Sequence, residues 1–442
     1  MFTLFLRESK KVIFSITFLI LIAAMLLMAL SQDVLDFNDR EIEMPFSGQS
    51  YGMQTKEIPE IIMPAAITSL YSEYKANSYT AYPIGFYKNV RLSTKEQQQV
   101  AEILSMITEI SLEELVNSVN TTTHNGDRLI FENGKELASD DGEVMITMPI
   151  PNNDSDTVLL VKDELTYEKF KSYMKQVDKL IGGGSNYSKT MLLNFGKVPI
   201  TYKEAIDSYF MIKDKDHFSG AYARLFSDYL VTVLSILPVF LAITISLKDK
   251  RNGIHELIYT RKTSSVKIIL TRYISIITAI MISVIIISYI SNMSAWSFYD
   301  GMKLDYLAPL KYDLGWILPS VMISAAVGMF FTELTNTAIG VAVQGLWWFI
   351  DINTGKAEII SGYSLFRLSP RHNSLQYTQA FNDHFNSLIV NRLFFIVLAL
   401  ILVAATILIY EQKRRGRLNG KFKSLIKKTF ANMANSKSKS AA

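Results

Sequence analysis

Residues 12–30, VIFSITFLILIAAMLLMAL, carry no charge. A run of this length crosses roughly 30 Å of hydrocarbon as a helix, and a backbone inside lipid has to satisfy its own amides and carbonyls. Four or five similar runs crowd into residues 229–410, whereas residues 32–225 have the charges and turns of a soluble chain. The spans expected after the first are 229–247, 268–291, 314–332, 337–352 and 389–410. The fifth, with the core TAIGVAVQGLWWFI, is short for a full crossing and is compatible with local thinning or a re-entrant path. With 49% apolar residues, the expectation is an α-helical polytopic membrane protein: six transmembrane helices plus a mixed α/β extracellular domain.

Charge fixes the expected orientation, because Lys and Arg beside span ends stay on the cytoplasmic side during insertion. Arg7, Lys10 and Lys11 precede the first span, six basic residues from Lys248 to Lys267 lie between the second and third, and ten follow Glu411. Six spans put all three segments inside. Residues 32–228 hold 30 acidic and 19 basic residues, a net of −11, and the remainder of the chain totals +15. The overall +4 is therefore a sorted distribution and no nucleic-acid signal. The expected organisation is a cytoplasmic N-terminus at 1–11, a first span at 12–31, an extracellular domain at 32–226 and a bundle at 227–411. The bundle contains a cytoplasmic segment at 248–267 and is followed by a basic tail at 412–442. Ala29 and Ser31 also suit a signal-peptidase site, but the apolar core exceeds the roughly 7–15 residues of a signal peptide, which favours a retained anchor. The chain has no cysteine, so neither disulfides nor thiolate metal sites are available. Its Lys, Ile and Asn usage fits a bacterial cell membrane.

Within the looped-out domain, Tyr71, Tyr74, Tyr79, Tyr82, Phe86 and Tyr87 crowd together. Ser93 with Glu96 and Ser111 with Glu114 fit capping boxes that open two helices. Strand patterns follow at 128–131, 143–150 and 157–161. Helical spacing returns at 166–181 through Phe170, Met174, Val177 and Ile181, and Thr201 with Glu204 opens a further helix. In the tail, Phe422, Leu425, Ile426, Phe430 and Met433 share a face among lysines, which suits either a helix on anionic membrane lipids or a solvated basic tail.

GGSNYSKT, Gly183 to Thr190, comes close to a phosphate loop but has Ser188 where glycine is needed, and it follows a helix; it reads as a helix stop and turn. No pair of the five histidines has metal-ligand spacing, although His372, Asp383 and His384 share one loop. No hydrolase signature appears, so the chain reads as a non-enzyme without a cofactor. Ser320, Ser324 and Gly328, and Ala338 with Ala342, have the small-xxx-small spacing of closely packed transmembrane helices. Pro238 and Pro319 would loosen their spans. Arg272 and Arg392 are placed to snorkel, Glu333 and Asp351 sit at span ends, and Trp316, Trp347 and Trp348 read as an outer aromatic belt. No chain of acids crosses the bilayer, which gives an ion-coupled carrier little support.

The segment KDKRNGIHELIYTRKTSSVKIILTRY places Lys250, Arg251 and Gly253 before a short amphipathic helix, Ile254 to Tyr259, with Glu256 and Leu257, followed by Arg261, Lys267 and Arg272. In this position it resembles the coupling region of ABC-2 type transporter permeases. Six spans, both ends inside and the polar segment SLFRLSPRHNSL before the last span extend the likeness over the whole chain. The resemblance implies a dimer of permease subunits, each engaging a separate ABC ATPase subunit through residues 250–262 and exporting an amphipathic or hydrophobic substrate. Such families often have a short first outer loop, and the large domain here departs from that. An ATP-driven mechanotransducer and a passive membrane-anchored binding protein are the alternatives.

Overall fold

The first apolar run does not form one straight helix. Helix α1, Phe2–Ile13, and helix α2, Ile16–Ser31, meet at an angle of 64°. Ser15 causes the break, since its hydroxyl donates to the Val12 carbonyl at 2.7 Å and accepts from the Phe18 amide at 3.2 Å, capping α2 inside an apolar run. The computed structural model describes residues 2–37, 39–83, 85–123, 161–253, 255–260, 262–353, 362–376 and 378–417. They divide into two compact units, one formed by Met1–Phe46 with Lys203–Ala442 and the other by Ser47–Tyr202.

The unit Ser47–Tyr202 contains β1 (Met53–Thr55), α3 (Pro59–Ala76), β2 (Tyr79–Ala81), β3 (Lys88–Val90), α4 (Thr94–Ile107), α5 (Leu112–Thr123), α6 (Tyr167–Ile181) and β4 (Lys197–Pro199). Antiparallel pairs β1 with β4 and β2 with β3 form two short ribbons. Both expected capping boxes are present: Ser93 and Ser111 exchange hydrogen bonds with Glu96 and Glu114. Phe170, Met174, Val177 and Ile181 face inward from α6 as their spacing requires, joining Ile62, Ile67, Leu70 and Leu104 in a separate core. The strand patterns at 128–131 and 143–150 lie outside the described residues, and of 157–161 only Val161 is described, bridging to Thr108. Gly182 ends α6 with φ +103°. The turn after it has no phosphate cradle, because the Ser185 amide and hydroxyl both donate to the Asp178 carboxylate, at 2.8 and 2.7 Å. The tyrosine-rich segment divides: Tyr74 and Tyr79 are core, while Phe86 and Tyr87 are exposed. Glu73 accepts from the Thr80 amide at 3.0 Å and the Tyr187 hydroxyl at 2.6 Å, and burial pushes its carboxyl pKa up.

The chain continues through α7 (Tyr202–Met211), α8 (Ser219–Leu234), α9 (Leu237–Arg251), α10 (His255–Tyr259), α11 (Ser265–Phe298), α12 (Ala308–Thr335), α13 (Ile339–Asn353), α14 (Thr378–Asp383) and α15 (Phe385–Arg414). Three helices, α11, α12 and α15, are each long and apolar enough to cross a membrane, and the bent pairs α1–α2 and α8–α9 bring the number to as many as five. The α8–α9 pair bends by 45° just before Pro238, which lacks an amide hydrogen and sits in the first turn of α9. The 15 residues of α13, about 22 Å at 1.5 Å per residue, fall short of a full crossing of the roughly 30 Å hydrocarbon.

Residues from Lys203 onward belong to the same compact unit as the apolar helices. Phe218 stacks on Tyr299 at 3.9 Å and Phe37 meets Tyr222 edge-on at 4.9 Å, so these flanks are aromatic core despite their charged neighbours. Ser320 and Ser324 are buried and donate to the carbonyls of Leu368 and Ile236, and Gly328 brings α12 against α9. Ala338 and Ala342 are exposed, and Gly340 makes the close contact from α13 instead, because its face of that helix turns toward Gly328 and Ile243. The aromatic belt is corrected at Trp316, which is buried and donates to the Pro370 carbonyl at 3.0 Å. Trp347 and Trp348 donate to the Phe366 and Thr232 carbonyls.

Candidate functional site

The basic loop after α9 is built against the bundle. Lys248, Lys250 and Arg251 end α9, where positive charge complements the carbonyl end of a helix. Asn252 caps it and Gly253 takes φ +68°, a left-handed turn that glycine adopts without steric cost. Five residues of helix follow as α10. Ile258 and Tyr259 pack into the apolar core, Tyr259 meeting Tyr410 edge-on at 5.4 Å. Arg414 locks the far side, donating to the carbonyls of Tyr259 at 2.9 Å and Thr263 at 2.6 Å. Glu256 is exposed, and Leu257 is exposed by 67%. Arg251 is exposed at the end of α9, and Arg261 lies outside the described residues.

Beneath α10 runs a layer of ion pairs. Lys250 bonds Glu333 at 2.9 Å, and Lys413 stands 3.8 Å from the same carboxylate. Both lysines donate to the Asn336 side-chain oxygen, at 3.0 and 2.7 Å. Arg272 pairs with Asp249 at 2.6 Å and Glu8 at 3.4 Å, and Lys11 pairs with Glu8 at 2.7 Å and Asp249 at 3.7 Å. A cavity of about 10 Å³, room for about one water, lies among Asp249, Lys250, Tyr259, Arg272, Glu333 and Tyr410. Three carboxylates and four cations thus join α1, α9, α11, α12 and α15 at one end of the bundle, where the three described basic segments meet. Arg272 is consequently an interior ion-pair partner and does not snorkel, since Asp249 and Glu8 satisfy it within the protein.

A second polar cluster organises the segment 362–376, which is irregular backbone among apolar helices. Such backbone is tolerated only where its polar groups are satisfied within the protein. Asp351 accepts from the amides of Leu368 at 2.7 Å and Ser369 at 3.0 Å, and Asp228 accepts from His372 at 2.8 Å and Asn373 at 3.0 Å. Arg392 donates to the Arg367 carbonyl at 3.0 Å, the Trp316 carbonyl at 3.0 Å and the Ser320 hydroxyl at 2.8 Å, so it too is buried in place of snorkelling. Nearby, Arg224 bridges Asp216 at 2.8 Å and Thr378 at 2.9 Å. Along α12, Trp316 and Glu333 are 17 positions apart, which at 1.5 Å per residue separates the two clusters by about 25 Å.

Sequence reasoning missed Asp216, Arg224, Asp228 and Asp313 because they flank apolar runs and were counted with the soluble segment or a loop. The His372 ring is bonded by the Tyr363 hydroxyl, and no cluster of three His, Cys, Asp or Glu suited to a metal occurs among the described residues. No family model, curated protein or solved structure matches the chain.

Proposed function

We propose that the chain is the permease subunit of an ABC exporter, with α10 as the helix that receives a separate ATPase subunit. One observation carries the reading: α10 turns Leu257 outward while its other face is held on an ion layer that joins five helices. An exposed apolar side chain on a helix held in place from behind is a suitable anchor for a partner's pocket. A displacement of α10 reaches α9 through the Gly253 turn, α15 through Arg414 and α12 through Lys250 and Glu333. In this reading the ion-layer end is cytoplasmic, the unit Ser47–Tyr202 is extracellular, a second permease copy completes the path, and the substrate is amphipathic or hydrophobic.

The test is purification of the full chain together with its ATP-hydrolysing partner, with and without Leu257→Asp, followed by substrate accumulation in inverted vesicles. Loss of the partner on Leu257→Asp supports docking at α10. ATP turnover without accumulation of any hydrophobic peptide or lipid probe would favour a mechanotransducer, and absence of an ATPase would leave a passive anchored protein.

A further inference from the structure

Asp313 opens a π-helical turn, Asp313–Ile317, near the start of α12. Its side chain is fully buried, and neither carboxylate oxygen meets a donor at hydrogen-bond geometry. Ser288 of α11 is its polar neighbour and the side chain placed to donate to the carboxylate, although its buried hydroxyl does not reach full hydrogen-bond geometry. One turn further along α11, on the same face, Asn292 donates its amide to the Ser288 carbonyl at 2.8 Å. This leaves the Asn292 side-chain oxygen buried and undonated.

The remaining buried carboxylates among the described residues are all compensated. Glu8, Asp216, Asp249, Glu333 and Asp351 face a Lys or Arg, and Asp228 receives two backbone amides. Asp313 has neither cation nor amide. A carboxylate buried without compensation costs several kcal/mol, so it requires an outside positive charge to stay ionised. π turns often mark functional positions, because the extra residue disturbs the regular packing of the helix.

We infer that Asp313, Ser288 and Asn292 bind a monovalent alkali cation, sodium being the one tested. The donors are oxygen throughout, from a carboxylate, a hydroxyl and an amide, as hard cations prefer. One carboxylate balances one positive charge, whereas a divalent ion would leave net charge buried. A cation at this place holds whether or not an ATPase binds α10.

The experiment measures ²²Na⁺ binding to the purified full chain in detergent, alongside thermal unfolding in sodium chloride and in choline chloride at equal ionic strength. Expected are saturable ²²Na⁺ binding and a sodium-specific rise in unfolding temperature. Asp313→Asn should weaken both by about tenfold or more, and Ser288→Ala should weaken both while leaving the carboxylate in place. If Asp313→Asn does not fold, Ser288→Ala and direct binding to the unaltered chain still decide. No saturable binding, equal unfolding temperatures in the two salts, or sodium effects that persist in both variants would overturn the assignment. The first two outcomes would leave Asp313 without a bound cation.

Discussion

At Gly328 three helices pack closely together, and a methyl group there tests the packing directly. A Cβ at Gly328 would lie 2.8 Å from the Val239 carbonyl oxygen, 2.9 Å from the Ala242 Cβ and 3.2 Å from the Val239 Cγ2. Ordinary contact begins at 3.4 Å, so α12 and α9 have to separate by roughly 0.6 Å, the difference between 3.4 and 2.8 Å. Two of these neighbours are a backbone atom and a Cβ, which cannot swing aside, and this places the overpacking cost near the upper end of about 1–3 kcal/mol. Alanine regains about 1 kcal/mol of helix propensity. Gly328→Ala is therefore expected to destabilise by about 2 kcal/mol. Gly345 supplies a control of opposite sign, because nothing lies within 4 Å of its Cβ position, and Gly345→Ala should be neutral or stabilising by up to about 1 kcal/mol. Unfolding of the two variants in detergent is the assay. A Gly328→Ala protein as stable as the parent, or two shifts of the same sign, would refute the close approach of α9 and α12.

Three further outcomes are expected. Glu333→Ala leaves Lys250 and Lys413 without their carboxylate and should cost roughly 3–5 kcal/mol, with Glu333→Gln costing less; denaturant titration in detergent measures both. Burial raises the folded-state pKa of Glu73 above its unfolded value, so its contribution to stability is full below the ordinary carboxylate range and is lost as pH rises through the folded pKa. Glu73→Gln should flatten that part of the pH–stability curve of the full chain. Asp351→Asn removes one of two acceptors for the Leu368 and Ser369 amides, costing about 1–3 kcal/mol and speeding hydrogen exchange across 362–376 relative to the rest of the chain.

The helical class was legible because a helix in lipid demands a long uncharged run, and α11, α12 and α15 supply one each. The capping boxes at Ser93 and Ser111 were legible because serine and glutamate three residues apart satisfy amides locally. What escaped depends on contacts distant in sequence. Ser15 looks like one more tolerated residue in an apolar run, and only the cap it makes shows the bend. Lys250 was legible as a positive-inside charge, but its pairing with Glu333 joins positions 83 apart. Trp316 has the composition of an interface residue and is core, because Pro370 offers its indole a carbonyl inside the bundle. Ala338 and Ala342 have the small-residue spacing but lie on the exposed face of α13, which spacing alone does not reveal.

The proposed role of α10 is to receive an ATPase subunit. The most direct measurement is the ATPase activity that co-purifies with the full chain from native membranes, compared with that of Leu257→Asp. Leu257 is exposed, so the substitution should change stability by no more than about 0.5 kcal/mol. Expected are co-eluting, magnesium-dependent ATP hydrolysis with the unaltered chain and its loss by about tenfold or more in the variant, with unfolding temperature unchanged. Equal activity in the two preparations, or none with the unaltered chain, would contradict it.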